Sequence, residues 1–238
     1  MSDKKKLAFL VPICSYNLPD DKVEEQHFYK IFLESLVNAV PDLEIKIYLG
    51  YNDDDKVYSE FDNRLLVMAR TVMFKNIKFE WYKFDDKYKG KPTWIWNDLS
   101  RYAIVDGFDY MYACGDDIIF PKDKGWASCM INNLSKNRNV GICAGDSGNP
   151  NLPMTQFLLN KRHYDMFSWI FPPGIENWGC DNWIQEVYPT KFVLYFPNYR
   201  FYNMGGKPRY DVKFSEEYVN ALVRRYRPTI IRSISLIN

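Results

Sequence analysis

The sequence predicts an α/β domain with a mostly parallel central sheet flanked by helices. Three observations lead there. Short continuous apolar runs recur along the chain, stretches with apolar residues at helical spacing separate them, and the first runs each end in a polar loop.

Leu7-Ala8-Phe9-Leu10-Val11-Pro12-Ile13 is the pattern of a strand buried on both faces, and Cys14-Ser15-Tyr16-Asn17 breaks it. Phe28, Ile31, Phe32, Leu36 and Val40 then recur at helical spacing until Pro41, and residues 44–49 return to a strand running into Gly50-Tyr51-Asn52-Asp53-Asp54-Asp55. A helix over 60–74 and a strand over 77–84 repeat the unit. A helix over 94–105 precedes the strand Tyr110-Met111-Tyr112-Ala113-Cys114. Strands over 140–144 and 156–160 follow, the second leading into a helix that contains His163 to Trp169. A helix over 181–188, a strand over 192–196 and a closing helix over 215–227 complete the reading. That last helix has an N-cap serine, acids behind it, and Tyr218, Leu222, Val223 and Tyr226 on one stripe.

With 238 residues, 47% of them apolar, and no linker or repeat, the chain fits one domain over 1–238. Its net charge of +1 gives no reason to expect a nucleic-acid partner. The basic start Met1 to Lys6 leads into an apolar run that contains Pro12 and lacks a small-residue cleavage site, so it reads as a strand rather than an export signal. No stretch reaches the roughly 18 to 20 apolar residues of a membrane span. Five cysteines form no CxxC pair, and a reducing, cytoplasmic location is expected.

In an open parallel sheet the ligand lies beyond the carboxyl ends of the strands. Those ends carry residues 14–17, 52–55 and 115–117, so three polar loops converge on one edge. Asp116 and Asp117 end a buried strand, where unpaired charge is heavily penalised. A hard divalent cation, Mn²⁺ or Mg²⁺, shared with the phosphates of a bound diphosphate would neutralise them. A solvated turn with both acids in water is the alternative.

The order Gly90-Lys91, Asn97, Ala103, Gly107-Phe108-Asp109-Tyr110 and Asp116-Asp117, ahead of Ile118-Ile119-Phe120-Pro121, resembles the GT-A fold nucleotide-sugar-dependent glycosyltransferases, and among them the inverting, family 2-like members. The resemblance covers about residues 7–190 and lies in the combination and order of the pieces. It implies a single GT-A (Rossmann-like) domain, with a nucleotide-sugar-binding half over about 1–120 and an acceptor-binding half over about 121–238. It places Asp117 on the metal of the so-called DxD element and Asp116 on the ribose or on the metal. Gly115 stands where the family has its first acid. Pro12, Ser15, Tyr16 and Asp53, with Lys91 and Asn97, fall at the donor-binding positions. For Tyr16 and Asn17 an ordinary turn is the alternative.

A second landmark, Phe171-Pro172-Pro173-Gly174-Ile175-Glu176-Asn177-Trp178-Gly179-Cys180-Asp181-Asn182-Trp183, resembles the acceptor-side segment of inverting members. Asp181 matches the base that deprotonates the acceptor hydroxyl, with Glu176 in reserve. Helix capping is the other reading of Asp181. Trp178 and Trp183 are sugar platforms or core residues. Lys207 or Arg209 could fold over the diphosphate, or belong to a solvated basic segment.

The expected partners are a UDP-, GDP- or dTDP-linked sugar and a glycan or other hydroxyl acceptor. The two histidines, 27 and 163, form no HxxxH or HExxH pattern, so zinc is not expected, and no phosphate-loop signature supports an ATPase. Two other functions remain: a nucleotidyltransferase that makes nucleotide-sugars, and a catalytically silent carbohydrate-binding protein.

Overall fold

Residues Leu7 to Val11 are fully buried because their strand has a neighbour on each side and a layer on each face. The computed structural model describes residues 5–16, 22–148, 154–205 and 209–237. Strand β1 (Lys6–Pro12) lies between β2 (Glu44–Asn52) and β4 (Tyr110–Ala113), parallel to both, and β3 (Ile77–Phe84) extends the sheet parallel beyond β2. A two-stranded antiparallel patch joins β5 (Ile118–Ile119) to β9 (Tyr202–Asn203). The main sheet is completed by β6 (Ile142–Asp146), β7 (Phe157–Asn160) and β8 (Val193–Arg200), in the order β3-β2-β1-β4-β7-β6-β8. Only β7 runs against its neighbours, so the sheet is mostly parallel, as the alternation of strands and helices implies.

Period-two alternation divides each central strand between two cores. Leu7, Phe9 and Val11 point to one face, where they meet α1 (Glu34–Asn38), α3 (Phe61–Ala69) and α5 (Trp126–Lys136). Ala8 and Leu10 point to the other, toward α4 (Pro92–Val105), α7 (Cys180–Val187) and α8 (Glu216–Ile237). Short helices α2 (Lys56–Ser59) and α6 (Arg162–Phe167) complete the set. Much of the aromatic content is core: Phe9, Phe32, Tyr112, Phe120, Trp126 and Phe201 form one contiguous ring cluster.

Four elements depart from expectation. The helix after Phe28 opens as a π-helical turn, Phe28–Leu33. The helix expected over 60–74 ends at Ala69. No element is expected between 121 and 139, yet Trp126, Ala127, Met130, Ile131 and Leu134 make the buried stripe of α5. Helix α8 continues through Pro228 to Ile237, past the expected stop at 227.

Candidate functional site

Strands β1, β2 and β4 deliver their polar loops to the same edge, where a cleft of about 860 Å³ opens. Gly115-Asp116-Asp117 lies in its wall, directly after β4. Asp116 is 1% exposed and would be an isolated buried charge without Arg209. The Arg209 guanidinium meets both carboxylate oxygens, with Nη1 to Oδ2 at 2.9 Å, and Nη1 also donates to Cys14 O at 2.5 Å. One side chain thus ties the loop after β1 to the loop after β4.

Among the described residues Asp117 has no such cation. Burial, then the charge on Asp116, pushes its carboxyl up to about 6. A Cβ at Gly205 would lie 2.2 Å from Asp117 Oδ2, and one at Gly115 would lie 2.6 Å from Oδ1. Glycine at both positions leaves the Asp117 carboxylate its place.

His27 completes the group. Ligand atoms of His27, Asp116 and Asp117 lie within 4.8 Å of one another, and His27 Nδ1 is buried with no hydrogen-bond partner among the described residues. Burial holds the imidazole below its usual range, so it is neutral near pH 7 and offers a lone pair. An imidazole nitrogen and two carboxylates within reach of one another fit a divalent cation, and the mixed nitrogen and oxygen donors favour Mn²⁺ over Mg²⁺. Cys14 lines the same cleft, but burial pushes its thiol up to about 12, so it stays protonated.

On the side of β1 and β2, Pro12, Tyr16 and Asn52 line the cleft. Asn52 is 4% exposed, and its Nδ2 has no partner among the described residues. Asp55 has a scaffolding role: it accepts from Ser15 N at 2.7 Å and Ser15 Oγ at 2.8 Å while capping α2 through Val57 N and Tyr58 N. Asp54 takes the Tyr16 hydroxyl and the Lys89 ammonium.

On the opposite side, Gly179 at φ +86° caps α7, so Asp181 stands inside the first turn and does not cap the helix. Asp181 lines the cleft, and its one side-chain partner is the weak donor Cys180 Sγ at 3.4 Å. Burial pushes its carboxyl up to about 6. Glu176 has the opposite electrostatics. Lys213 donates to it at 2.6 Å and Lys91 lies 3.4 Å away, and these cations hold its carboxyl below the usual range. Buried Asn177 fixes this wall by donating to Gly90 O and Asp211 O and accepting from Trp178 N and Lys213 N.

Of the residues singled out in the sequence, the structure brings Pro12, Tyr16, Lys91, Asp116, Asp117, Glu176, Trp178 and Asp181 to the cleft. Asn97 is not there. Its Oδ1 accepts from Ile170 N and Phe171 N and its Nδ2 donates to Phe171 O, and these bonds pin that turn to α4. Trp183 is not there either: it is 0% exposed, packed against His163, Trp169 and Tyr226. Ser15 is held on Asp55, and Asp53 is exposed; neither lines the cleft. Asn17 and Lys207 lie outside the described residues. His27 and Asn52 were not chosen from the sequence. An isolated histidine carries no spacing signal, whereas Asn52, the last residue of a buried strand, could have been found by its position.

No family model matches the chain. It is 26% identical over 142 residues to the uncharacterized protein L137 of Acanthamoeba polyphaga mimivirus, a match over 57% of this chain and 18% of that one. Among solved structures it is similar to S. aureus TarS, with a TM-score of 0.57 at 12% identity over 93% of this chain and 42% of that one. The shorter TarS 1–349 gives a TM-score of 0.56 at 12% identity over 95% and 65%. The chain therefore spans less than two thirds of each of these proteins. The likeness shows the fold, a Rossmann-like GT-A domain. Among the described residues no helix is long and apolar enough to cross a membrane.

Proposed function

We propose that the chain is a metal-dependent glycosyltransferase that moves a sugar from a nucleoside diphosphate to an acceptor hydroxyl with inversion. The observation that carries this reading is the placing of two separate carboxylate sites on opposite sides of one cleft. Asp117 stands with Asp116 and His27, and Asp181 stands apart from them, its carboxyl raised by burial so that it takes up a proton readily.

On this reading Asp117, Asp116 and His27 hold Mn²⁺, which when bound supplies positive charge for the diphosphate leaving group. Asn52 Nδ2 and Tyr16 face the nucleoside. Asn52 gains the acceptor that the protein does not give it. Arg209 adds fixed positive charge beside the phosphates. Asp181 accepts the proton of the acceptor hydroxyl as that oxygen attacks the anomeric carbon from the face opposite the leaving group, so no covalent enzyme intermediate forms. Lys91 and Lys213 neutralise Glu176 and so leave the base role to Asp181. Trp178, 48% exposed at the rim, offers a flat face to a sugar ring.

The experiment is release of nucleoside diphosphate from a panel of UDP-, GDP- and dTDP-sugars with Mn²⁺, for wild type and Asp181→Asn. Release by the wild type, slowed by about 10²- to 10⁴-fold in the variant while nucleotide binding persists, is the expected result. Equal rates in the two proteins would remove Asp181 from the chemistry.

A further inference from the structure

Arg209 reaches Asp116 from a stretch with no regular structure of its own, since residues 209–215 belong to no helix or strand. Such a stretch keeps one place only if its backbone groups are bound from outside, and two of them go to a single side chain. Asn177 donates through Nδ2 to Asp211 O at 3.0 Å and accepts at Oδ1 from Lys213 N at 3.0 Å. Bonding the carbonyl of one residue and the N–H of the next but one is what a strand residue does to a parallel neighbour. Asn177 thus supplies one rung of sheet from its side chain.

The rest of the amide is used as fully. Nδ2 also donates to Gly90 O at 3.0 Å, and Oδ1 also accepts from Trp178 N at 2.7 Å. A carboxamide has two donor hydrogens and two lone pairs on its oxygen, and at Asn177, which is 2% exposed, all four are bonded. One group therefore fixes three segments to one another: the loop between β3 and α4, the wall that leads through Trp178 and Gly179 into α7, and the stretch that carries Arg209. Lys213 Nζ and Glu176, 2.6 Å apart, join the last two again, but the lysine side chain is 65% exposed and such pairs contribute little.

We infer that Asn177 is a positioning residue that couples the two sides of the cleft: it sets the place of the Arg209 guanidinium on Asp116 and, with the same amide, the entry to the helix that bears Asp181. The coupling belongs to the folded chain and stands apart from the reading of the cleft as a transferase site. On that reading it keeps the fixed charge beside the phosphates in register with the base.

Coupling between two residues shows in whether their substitutions add. In metal-free melts the fall in Tm caused by Arg209→Ala should shrink by about half or more in an Asn177→Ala background, where the guanidinium has already lost its place. Asn76 is the control. Its Nδ2 donates to Pro41 O and Leu43 O at the other end of the sheet, and Asn76→Ala should leave the fall at full size. Coupling is also reciprocal, so Arg209→Ala alone should speed hydrogen exchange of the Trp178 and Lys213 amides by at least about fivefold more than that of Leu43. This second arm needs no variant at Asn177 and decides the matter if Asn177→Ala does not fold. A fall of full size in the Asn177→Ala background would overturn the proposal, and so would exchange at Trp178 that changes no more than at Leu43.

Discussion

Arg209 meets both carboxylate oxygens of Asp116 across 93 positions of sequence, and Asp116 is almost wholly buried beneath it. The guanidinium takes oxygens that a divalent cation would also seek, and among the described residues it leaves Asp117 without a paired cation. On the proposed reading Arg209 therefore stabilises the metal-free cleft and would compete with a metal for Asp116.

Arg209→Ala should lower the stability of the metal-free chain by about 3 kcal/mol, because it strands a buried charge. For a chain of this size that is a fall in Tm of roughly 6–12 °C. Mn²⁺ should recover more Tm in the variant than it adds to the wild type. Thermal melts of both proteins with and without Mn²⁺ make the comparison, and equal increments would count against the competition. Arg209→Lys should behave more like alanine than like arginine, since an ammonium cannot meet both oxygens at once.

Gly205→Ala should act chiefly on Asp117. A Cβ there would fall 2.2 Å from Asp117 Oδ2 and 2.9 Å from Asn203 Oδ1, so the carboxylate must turn away. Mn²⁺ affinity by calorimetry should drop about tenfold or more, as when groups that orient a ligand are lost. His27→Ala should give a similar loss. An unchanged affinity in His27→Ala would remove the imidazole from the site.

Asn52→Ala should weaken nucleoside diphosphate binding by about five- to thirtyfold, equivalent to about 1–2 kcal/mol for a lost hydrogen bond. Stability without ligand should hold or rise, since the substitution also removes an orphaned buried donor. Titration calorimetry and melts on the same preparation separate the two effects.

Both Asp117 and Asp181 have carboxyls raised to about 6, so the folded chain keeps protons that the unfolded chain releases above about pH 4. Their contribution to stability therefore falls as pH rises from about 4 to about 6. Asp181→Asn should raise Tm at neutral pH by about 2–4 °C, from about one kcal/mol regained, and leave it unchanged at about pH 4. In activity the sign reverses. At saturating Mn²⁺, kcat/KM should fall below about pH 6 as Asp181 gains its proton. A profile flat down to about pH 4.5 would contradict the base assignment.

The sheet was legible because strands buried on both faces write continuous apolar runs, as in Leu7 to Val11, and polar loops mark their ends. Asp116 and Asp117 were legible for the same reason. Helix α5 was missed although its apolar stripe stands in the sequence, because Gly125 ahead of it and the break at Pro121 offer no capping side chain to announce it. Contacts made only by folding were not legible. Nothing near Arg209 in the sequence points to Asp116, and nothing near His27 points to a carboxylate. Asn97 and Trp183 misled because polar and aromatic residues serve the scaffold as readily as a ligand. One holds the backbone at Ile170 and Phe171, and the other fills the space beneath α8.

The central claim is that Asp117 helps hold a cation that in turn binds a nucleoside diphosphate. Its most direct measurement is the thermal shift given by UDP, GDP, CDP and dTDP, each with and without Mn²⁺, on wild type and Asp117→Ala, because a ligand bound only by the folded chain must raise its Tm. The account predicts a shift with at least one nucleotide that requires Mn²⁺ and disappears in Asp117→Ala. No shift with any nucleotide, or the same shift in the variant, would contradict it.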